Sequence, residues 1–418
     1  MTFKAEWGES LFAQVFTKCD FDPDPRLLYH EAIRHGLNAC ELCIISDDTR
    51  FLGIPWELIR DPTPGRGYLA LLLGGFYRKL PTPVIGEDPE SRRPFRILLV
   101  ISRPLGERDI PIQTVAHPVM QALRPFPDRI ELEVLRPPTF DTLQKCLNAN
   151  RGYYHCVHFD GHGILGKSQA MRGGKSGYLL FENEKGEEYP VSSEELGQAL
   201  ATCKVPLFVL NACQSAQEGE DPYSSVASQL VALGAKGVVA MSYSVYSTAA
   251  SKFMQRFYEK LVENCTLGEA VAAGRMKLYA DPFRESVIGP LKLADWMVPC
   301  LYQKKNTVPI PWSFEPGESS SEIRESVKTV CEVGQFGFVG RDNDILKIER
   351  ALTNDERPWV VVSGIGIGGV GKTALVHGFA NWYAETGVCP GGLFITSNRR
   401  NQLEKSSRCN WCRYGRFF

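Results

Sequence analysis

No apolar run in this sequence is long enough to cross a bilayer. The longest, Tyr68 to Leu73, falls far short of the roughly 20 residues a spanning helix needs. Charge of one sign is also lacking: 47 Lys and Arg face 48 Asp and Glu, leaving a net charge of −1. A chain so balanced has no overall field to hold a polyanion or an anionic surface, so neither nucleic acid nor membrane is an expected partner. The opening Met-Thr-Phe-Lys-Ala-Glu-Trp carries no charged segment followed by an apolar one, so no secretory signal is expected. The 13 cysteines then read as reduced thiols in a cytoplasmic protein, not as a disulfide framework. Internal repeats are missing as well. What is present is ordinary globular material: 418 residues, 44% hydrophobic and 23% charged, enough for two or three domains at roughly 150 residues each.

From residue 95 onward, β-rich runs alternate with helical patterns. Phe95-Arg-Ile-Leu-Leu-Val-Ile-Ser102 is nearly continuous in apolar residues, as a strand covered on both faces must be. Ile130 to Leu135 alternates, and Tyr153–Phe159, Gly177–Phe181, Pro206–Leu210 and Lys236–Met241 continue the series. Helical stretches lie between them at Asp141–Asn148, Glu194–Thr202, Tyr223–Leu233, Thr248–Glu263 and Leu267–Tyr279. The second opens on Ser192-Ser-Glu-Glu195, a hydroxyl and a carboxylate spaced to cap the first turn reciprocally. This alternation predicts an α/β layered domain with a largely parallel sheet and flanking helices. A further strand is expected at Glu41–Ser46, and Gly166–Gly177 reads as an exposed loop.

Two strands end in chemistry-bearing residues. Tyr154-His-Cys-Val-His-Phe-Asp-Gly-His-Gly163 closes on what reads as a glycine-flanked turn presenting His162. About fifty residues later, the caspase type of spacing, Leu207-Phe-Val-Leu-Asn-Ala-Cys213 ends at a thiol. In open α/β sheets functional groups gather at the carboxyl ends of strands, so both can face one crevice. An imidazole that takes the proton of a thiol makes a thiolate able to attack an acyl carbon. The oxygen that becomes negative needs backbone N–H donors, for which Gly163 and Cys213 are the candidates. Each residue alone has a plainer reading, Cys213 as a small core residue and Gly-His-Gly as a turn. Their spacing argues for them jointly.

Several stretches together resemble the CHAT domain, a caspase-like peptidase module of the clan that includes separases, metacaspases and clostripain-like proteases. They are His158–Gly163, Leu210–Ala216, Ala232–Ala240, Ile54–Asp61, Phe257–Leu261 and Trp296–Tyr302. The resemblance covers roughly residues 40 to 302, and implies a caspase-like fold with His162 as general base and Cys213 as nucleophile. His158 and His155 are then structural. Relatives that cut after Arg or Lys carry an acid two positions before the nucleophile. Here that position is Asn211, so basic specificity is not implied. Asp160, Asn211, Glu218, Glu220 and Asp221 are candidates for lining the specificity pocket, and solvated loop carboxylates are the competing reading.

Near the C-terminus, Gly366-Ile-Gly-Gly-Val-Gly371-Lys372-Thr373 fits the G-x-x-x-x-G-K-T phosphate loop, with an apolar run before it and a helical pattern after it. Backbone amides of Gly366, Gly368, Gly369 and Gly371 would cradle phosphates, Lys372 would reach the β- and γ-phosphates, and Thr373 would hold Mg²⁺. ATP or ADP with Mg²⁺ is the expected cofactor of this part, and none is expected for the peptidase. The lead-in Phe338–Leu352 resembles that of STAND-type NTPases, the NB-ARC and NACHT relatives. A second strand carrying an acid for Mg²⁺ is not found after Thr373, so the unit is partial and hydrolysis is doubtful. Cys40-x-x-Cys43 and Cys409-x-x-Cys412 have zinc-ligand spacing but lie far apart, and no metal held by a protein cluster is expected.

The expected organisation is an accessory part at 1–90, a caspase-like core at 91–303 and a Pro- and Ser-rich linker at 304–334. A partial phosphate-loop unit at 335–398 and an irregular tail at 399–418 follow. The expected function is a cysteine endopeptidase working through a thioester, regulated by a partial nucleotide switch. Its partners would be a protein substrate and a sensor or self-association partner. A non-catalytic signalling scaffold and a purely nucleotide-driven switch are the alternatives.

Overall fold

The computed structural model describes residues 2–18, 23–81, 94–106, 109, 112, 116, 119–120, 123, 129–167, 175–212, 222–241, 247–284, 289–305, 340–352 and 371–386. Helices α1 (Thr2–Phe16) and α2 (Pro25–His35) lead into strand β1 (Glu41–Ile45). Strands β2 (Gly75–Lys79), β3 (Phe95–Ile101) and β4 (Ile130–Val134) follow, then helix α3 (Phe140–Ala149). The central part runs β5 (Cys156–Lys167), β6 (Lys175–Glu182), β7 (Glu188–Ser192), α4 (Ser193–Thr202), β8 (Leu207–Ala212), α5 (Pro222–Ala232) and β9 (Gly237–Met241). Helices α6 (Ser247–Val262) and α7 (Leu267–Ala280) then precede β10 (Pro299–Gln303). Helices α8 (Asp342–Leu352) and α9 (Lys372–Glu385) complete the described chain.

The strands form one sheet in the order β1-β2-β10-β9-β8-β5-β3-β4, with β6 and β7 branching from β5. Along that order only β9 and β10 pair antiparallel; the rest are parallel. The fold is therefore α/β with a largely parallel sheet and flanking helices. The apolar run expected as a doubly covered strand is one: β3 is buried except at Arg96, and every residue of β9 is buried as well. Helix α4 begins with the expected reciprocal cap, Ser192 Oγ accepting from the Glu195 amide and Glu195 Oε2 accepting from the Ser192 amide.

Two readings change. The Gly-His-Gly stretch is no turn, because β5 runs straight through it to Lys167 and its outer half pairs antiparallel with β6. Gly161 serves packing instead: a Cβ there would come within 2.7 Å of the Phe159 ring. The expected 166–177 loop is narrowed from both sides by β5 and β6. The 304–334 linker and the strand before the phosphate loop lie largely or wholly outside the described residues.

The main core lies on both faces of the sheet, and a second one joins Leu99 and Ile101 of β3 to Ile345, Leu346 and Ile348 of α8 and Phe379, Trp382 and Tyr383 of α9. Within the main core is a buried ion triad. Arg78 of β2 grips Glu57 with both terminal nitrogens (2.5 and 2.7 Å), and Arg275 of α7 reaches the same carboxylate at 2.9 Å. All three side chains are at most 1% exposed. Burial pushes the Glu57 carboxyl up, but the two guanidiniums outweigh it and hold it below the usual range. Removing the carboxylate would strand two buried cations. Glu57→Ala is expected to destabilise the protein by about 3–5 kcal/mol, read as a lowered urea midpoint.

Candidate active site

Parallel pairing brings the middle of β5, where its pairing with β8 stops, beside the end of β8. Asp160 pairs with Asn211 and Gly161 with Ala212. Ala212 immediately precedes Cys213, and Gly161 immediately precedes His162. Cys213 itself, with Glu218, Glu220 and Asp221, lies outside the described residues. His162 sits where β5 leaves the parallel sheet for β6, opposite Leu180, and Gly163 follows opposite Leu179.

The imidazole of His162 is buried. Its Nε2 is paired with Asp109 Oδ1, and the Asp109 side chain is itself buried. The other Asp109 oxygen accepts the Leu105 amide at 2.6 Å, which fixes the carboxylate. Among the described residues, His162 Nδ1 has no partner. With a proton on Nε2 directed at the carboxylate, Nδ1 carries the lone pair and can accept one. Asp109 was not singled out in the sequence. It lies in the polar Glu107-Arg-Asp109 stretch after Pro104, far in sequence from His162, and nothing in the pattern distinguishes it from a solvated loop acid.

Asp160 and Asn211, considered for a specificity pocket, are buried at 2% and 3% exposure and bonded to one another, and Asp160 is also paired with Arg103. Arg103 donates to Asp160 Oδ2 at 2.6 Å and to the Asp160 carbonyl at 2.7 Å. Burial pushes the Asp160 carboxyl up, against the pull of Arg103. Of the phosphate-loop residues, Gly371 has a left-handed φ of +82° and Lys372 opens α9, with Thr373 next in the helix. Gly366, Gly368 and Gly369 lie outside the described residues. Among the described residues no cluster of His, Cys, Asp and Glu could hold a metal, and no helix is long and apolar enough to cross a membrane.

A family model for the CHAT domain matches residues 24–316. The chain belongs to the CHAT domain family. No curated protein matches it by sequence. Among solved structures, this CHAT protein is similar to the separase of Saccharomyces cerevisiae in its complex with securin. In one crystal structure the identity is 14% and the TM-score 0.35, over 63% of this chain and 16% of the separase chain. In a second the values are 16% and 0.34, over 63% and 15%. It is also similar to gingipain R, an Arg-specific cysteine proteinase, at 10% identity and a TM-score of 0.38 over 74% of each chain. The chain thus spans only a small part of the separase length.

Two further histidines of the CHAT domain lie deeper in the core. His155 accepts the Arg96 amide at Nδ1 (3.0 Å), and burial, assisted by the Arg96 charge, brings its pKa down to about 4. His158 meets the Tyr258 hydroxyl at 2.9 Å, and burial brings it down to about 3. Both are neutral when folded and gain a proton more readily when unfolded, so the unfolded state is favoured by acid. Stability is expected to be full above about pH 6.5 and to fall toward pH 4 and below. The slope is up to about 1.4 kcal/mol per pH unit for each histidine. Urea titrations at several pH values check this, and His158→Gln should flatten the curve.

Proposed function

We propose that the chain is a caspase-like cysteine endopeptidase acting on protein substrates. The observation that carries this reading is a buried imidazole with one nitrogen held by a carboxylate and the other without a partner. It stands on a strand whose register sets it beside the strand leading into Cys213. Cys213 Sγ would give its proton to His162 Nδ1, and the thiolate would add to the scissile carbonyl carbon. Amides of Gly163 and Cys213 would hold the resulting oxyanion. Collapse would break the C–N bond, and the amine would leave with the proton from His162. Water, deprotonated by the same imidazole, would then cleave the thioester and return the thiol. Asp109 would keep the ring oriented and balance its charge while the proton is on it. With Asp160 engaged by Arg103 and Asn211 by Asp160, Glu218, Glu220 and Asp221 are left as the candidates for reading the substrate.

The C-terminal part carries a second reading, a nucleotide-responsive switch. It is favoured by the left-handed Gly371 leading directly into α9 at Lys372, as a phosphate loop requires. Backbone amides from Gly366 to Gly371 would hold the phosphates of ATP or ADP, with Lys372 on the β- and γ-phosphates and Thr373 on Mg²⁺. Bound nucleotide would supply the switch signal.

Cys213→Ala is expected to abolish peptide cleavage and thiol-probe labelling at that position, with circular dichroism unchanged. Preferential labelling of another cysteine in the wild type would contradict the assignment, and a partner-binding function untouched by Cys213→Ala would favour the scaffold. Asp109→Asn should lower kcat by roughly 10²–10⁴-fold with little effect on KM, measured on a peptide from a cleavage library.

A further inference from the structure

Helix α8 lies outside the family-matched span, yet one of its side chains reaches the residues that set the strand tips. Arg350 pairs with Glu182 at the end of β6, Nε at 3.0 Å and Nη2 at 2.8 Å from Oε2, and Nη2 also donates to the Arg103 carbonyl at 3.2 Å. The other oxygen of Glu182 accepts the Arg103 amide at 2.8 Å. Arg103 is thereby held at both its amide and its carbonyl. Its guanidinium in turn clamps Asp160, two residues before His162, and Asp160 accepts from Asn211, two residues before Cys213. The chain leaving Arg103 runs on to Asp109, the partner of His162.

The seat of Arg350 is built. Gly186, at φ +76°, lies so close that a Cβ there would come within 2.8 Å of the guanidinium carbon. Helix α8 is itself anchored: Glu349 accepts from Arg136 Nε at 2.8 Å and from the Trp382 indole at 2.9 Å, and Arg136 also donates to Thr386 at 2.7 Å. The second core joins α8 and α9 to β3 beneath these bonds. A void of about 20 Å³ between the helices and the sheet is only water-sized, so the face is docked and not open to a ligand.

We propose that Arg350 is a positioning residue for the Cys213–His162 site, supplied in cis by the segment that follows the CHAT domain. This deepens the endopeptidase reading and rests on it for the reaction. Glu182 is a buried carboxylate whose carboxyl burial pushes up while the Arg350 charge pulls it down. Without that cation Glu182 takes a proton or turns away, the Arg103 amide has a weaker acceptor or none, and the clamp on Asp160 slackens. The expected loss is in reactivity and not in substrate binding, because none of these bonds involves a residue proposed to read the substrate. The consequence is a site whose reactivity depends on whether α8 is seated.

The test uses the full chain and the variants Arg350→Ala, Arg350→Lys, Glu182→Gln and the double variant Arg350→Ala/Glu182→Gln. Arg350→Ala is expected to lower kcat and the rate of Cys213 alkylation by iodoacetamide by roughly tenfold, with KM little changed. It should also raise amide hydrogen exchange at residues 102–109 and 160–163. Arg350→Lys should recover part of the loss, and the double variant should lose little more than Arg350→Ala alone. Unchanged alkylation and exchange in Arg350→Ala would overturn the proposal whatever the wild-type activity. Raised exchange and slowed alkylation in a chain that cleaves no peptide would instead uphold the linkage and remove the endopeptidase reading.

Discussion

The buried ion pair between Arg103 and Asp160 is the constraint on which the site depends. Both side chains are at most 2% exposed, and a lone charge at that depth would be far too costly to keep. The pair persists because its remaining capacity is used. The guanidinium also holds the Ser102 and Asp160 carbonyls, and the second carboxylate oxygen takes Asn211. One set of bonds therefore ties the ends of β3, β5 and β8 together. Replacing it with hydrocarbon of equal volume need cost no stability, but it would remove what fixes the tips in register. On the proposed endopeptidase reading, a proton transfer between side chains on two strands would tolerate little misplacement, and fixity there would matter more than strength.

The opposite part of the sheet repeats the device with other residues. Glu57, Arg78 and Arg275 join the chain before β2, the strand β2 itself and α7, and Arg275 also holds the Pro299 carbonyl at the start of β10. Apolar burial supplies the cohesion of both halves, while the arginines decide which segments meet. This division explains how β1 and β2, from the irregular N-terminal part, come to extend the same sheet that carries His162.

The sequence announces the strands that are covered on both faces and the helices between them, because apolar continuity and 3.6-residue periodicity are local signals. It conceals β2, since Gly-Phe-Tyr-Arg-Lys looks polar until Arg78 is seen to be buried against Glu57. It conceals β7 too, where Pro190 and exposed side chains mask a short strand at the end of the branch. The pairing of the His162 strand with the Asn211 strand fits the strand pattern of the sequence, although His162 lies within β5 and not on a turn at its end. Asp109, Arg103 and Arg350 are not legible, because each acquires its role only from a partner distant in sequence. Charged residues in loops look alike until the fold chooses which to bury.

The three histidines that are buried among the described residues show what the fold adds to residue type. His155, His158 and His162 each leave one ring nitrogen without a partner among the described residues, a cost of about 1–3 kcal/mol apiece if nothing offsets it. For His155 the bonded nitrogen faces a backbone amide and for His158 a tyrosine hydroxyl, and burial drives both to the neutral ring. Neither arrangement stabilises a second ring proton: Nδ1 of His155 already accepts the Arg96 amide, and His158 faces no counter-charge among the described residues. His162 alone of the three has its bonded nitrogen on a carboxylate, so a proton arriving at Nδ1 creates a charge that already has its counter-ion. It is also the one where β5 passes from its parallel partner β8 to β6, one register position past the Gly161–Ala212 pair. Similar burial and an identical side chain thus give two rings bonded to neutral groups and one bonded to a carboxylate, and the difference lies in the partner, Asp109, and in the place on β5.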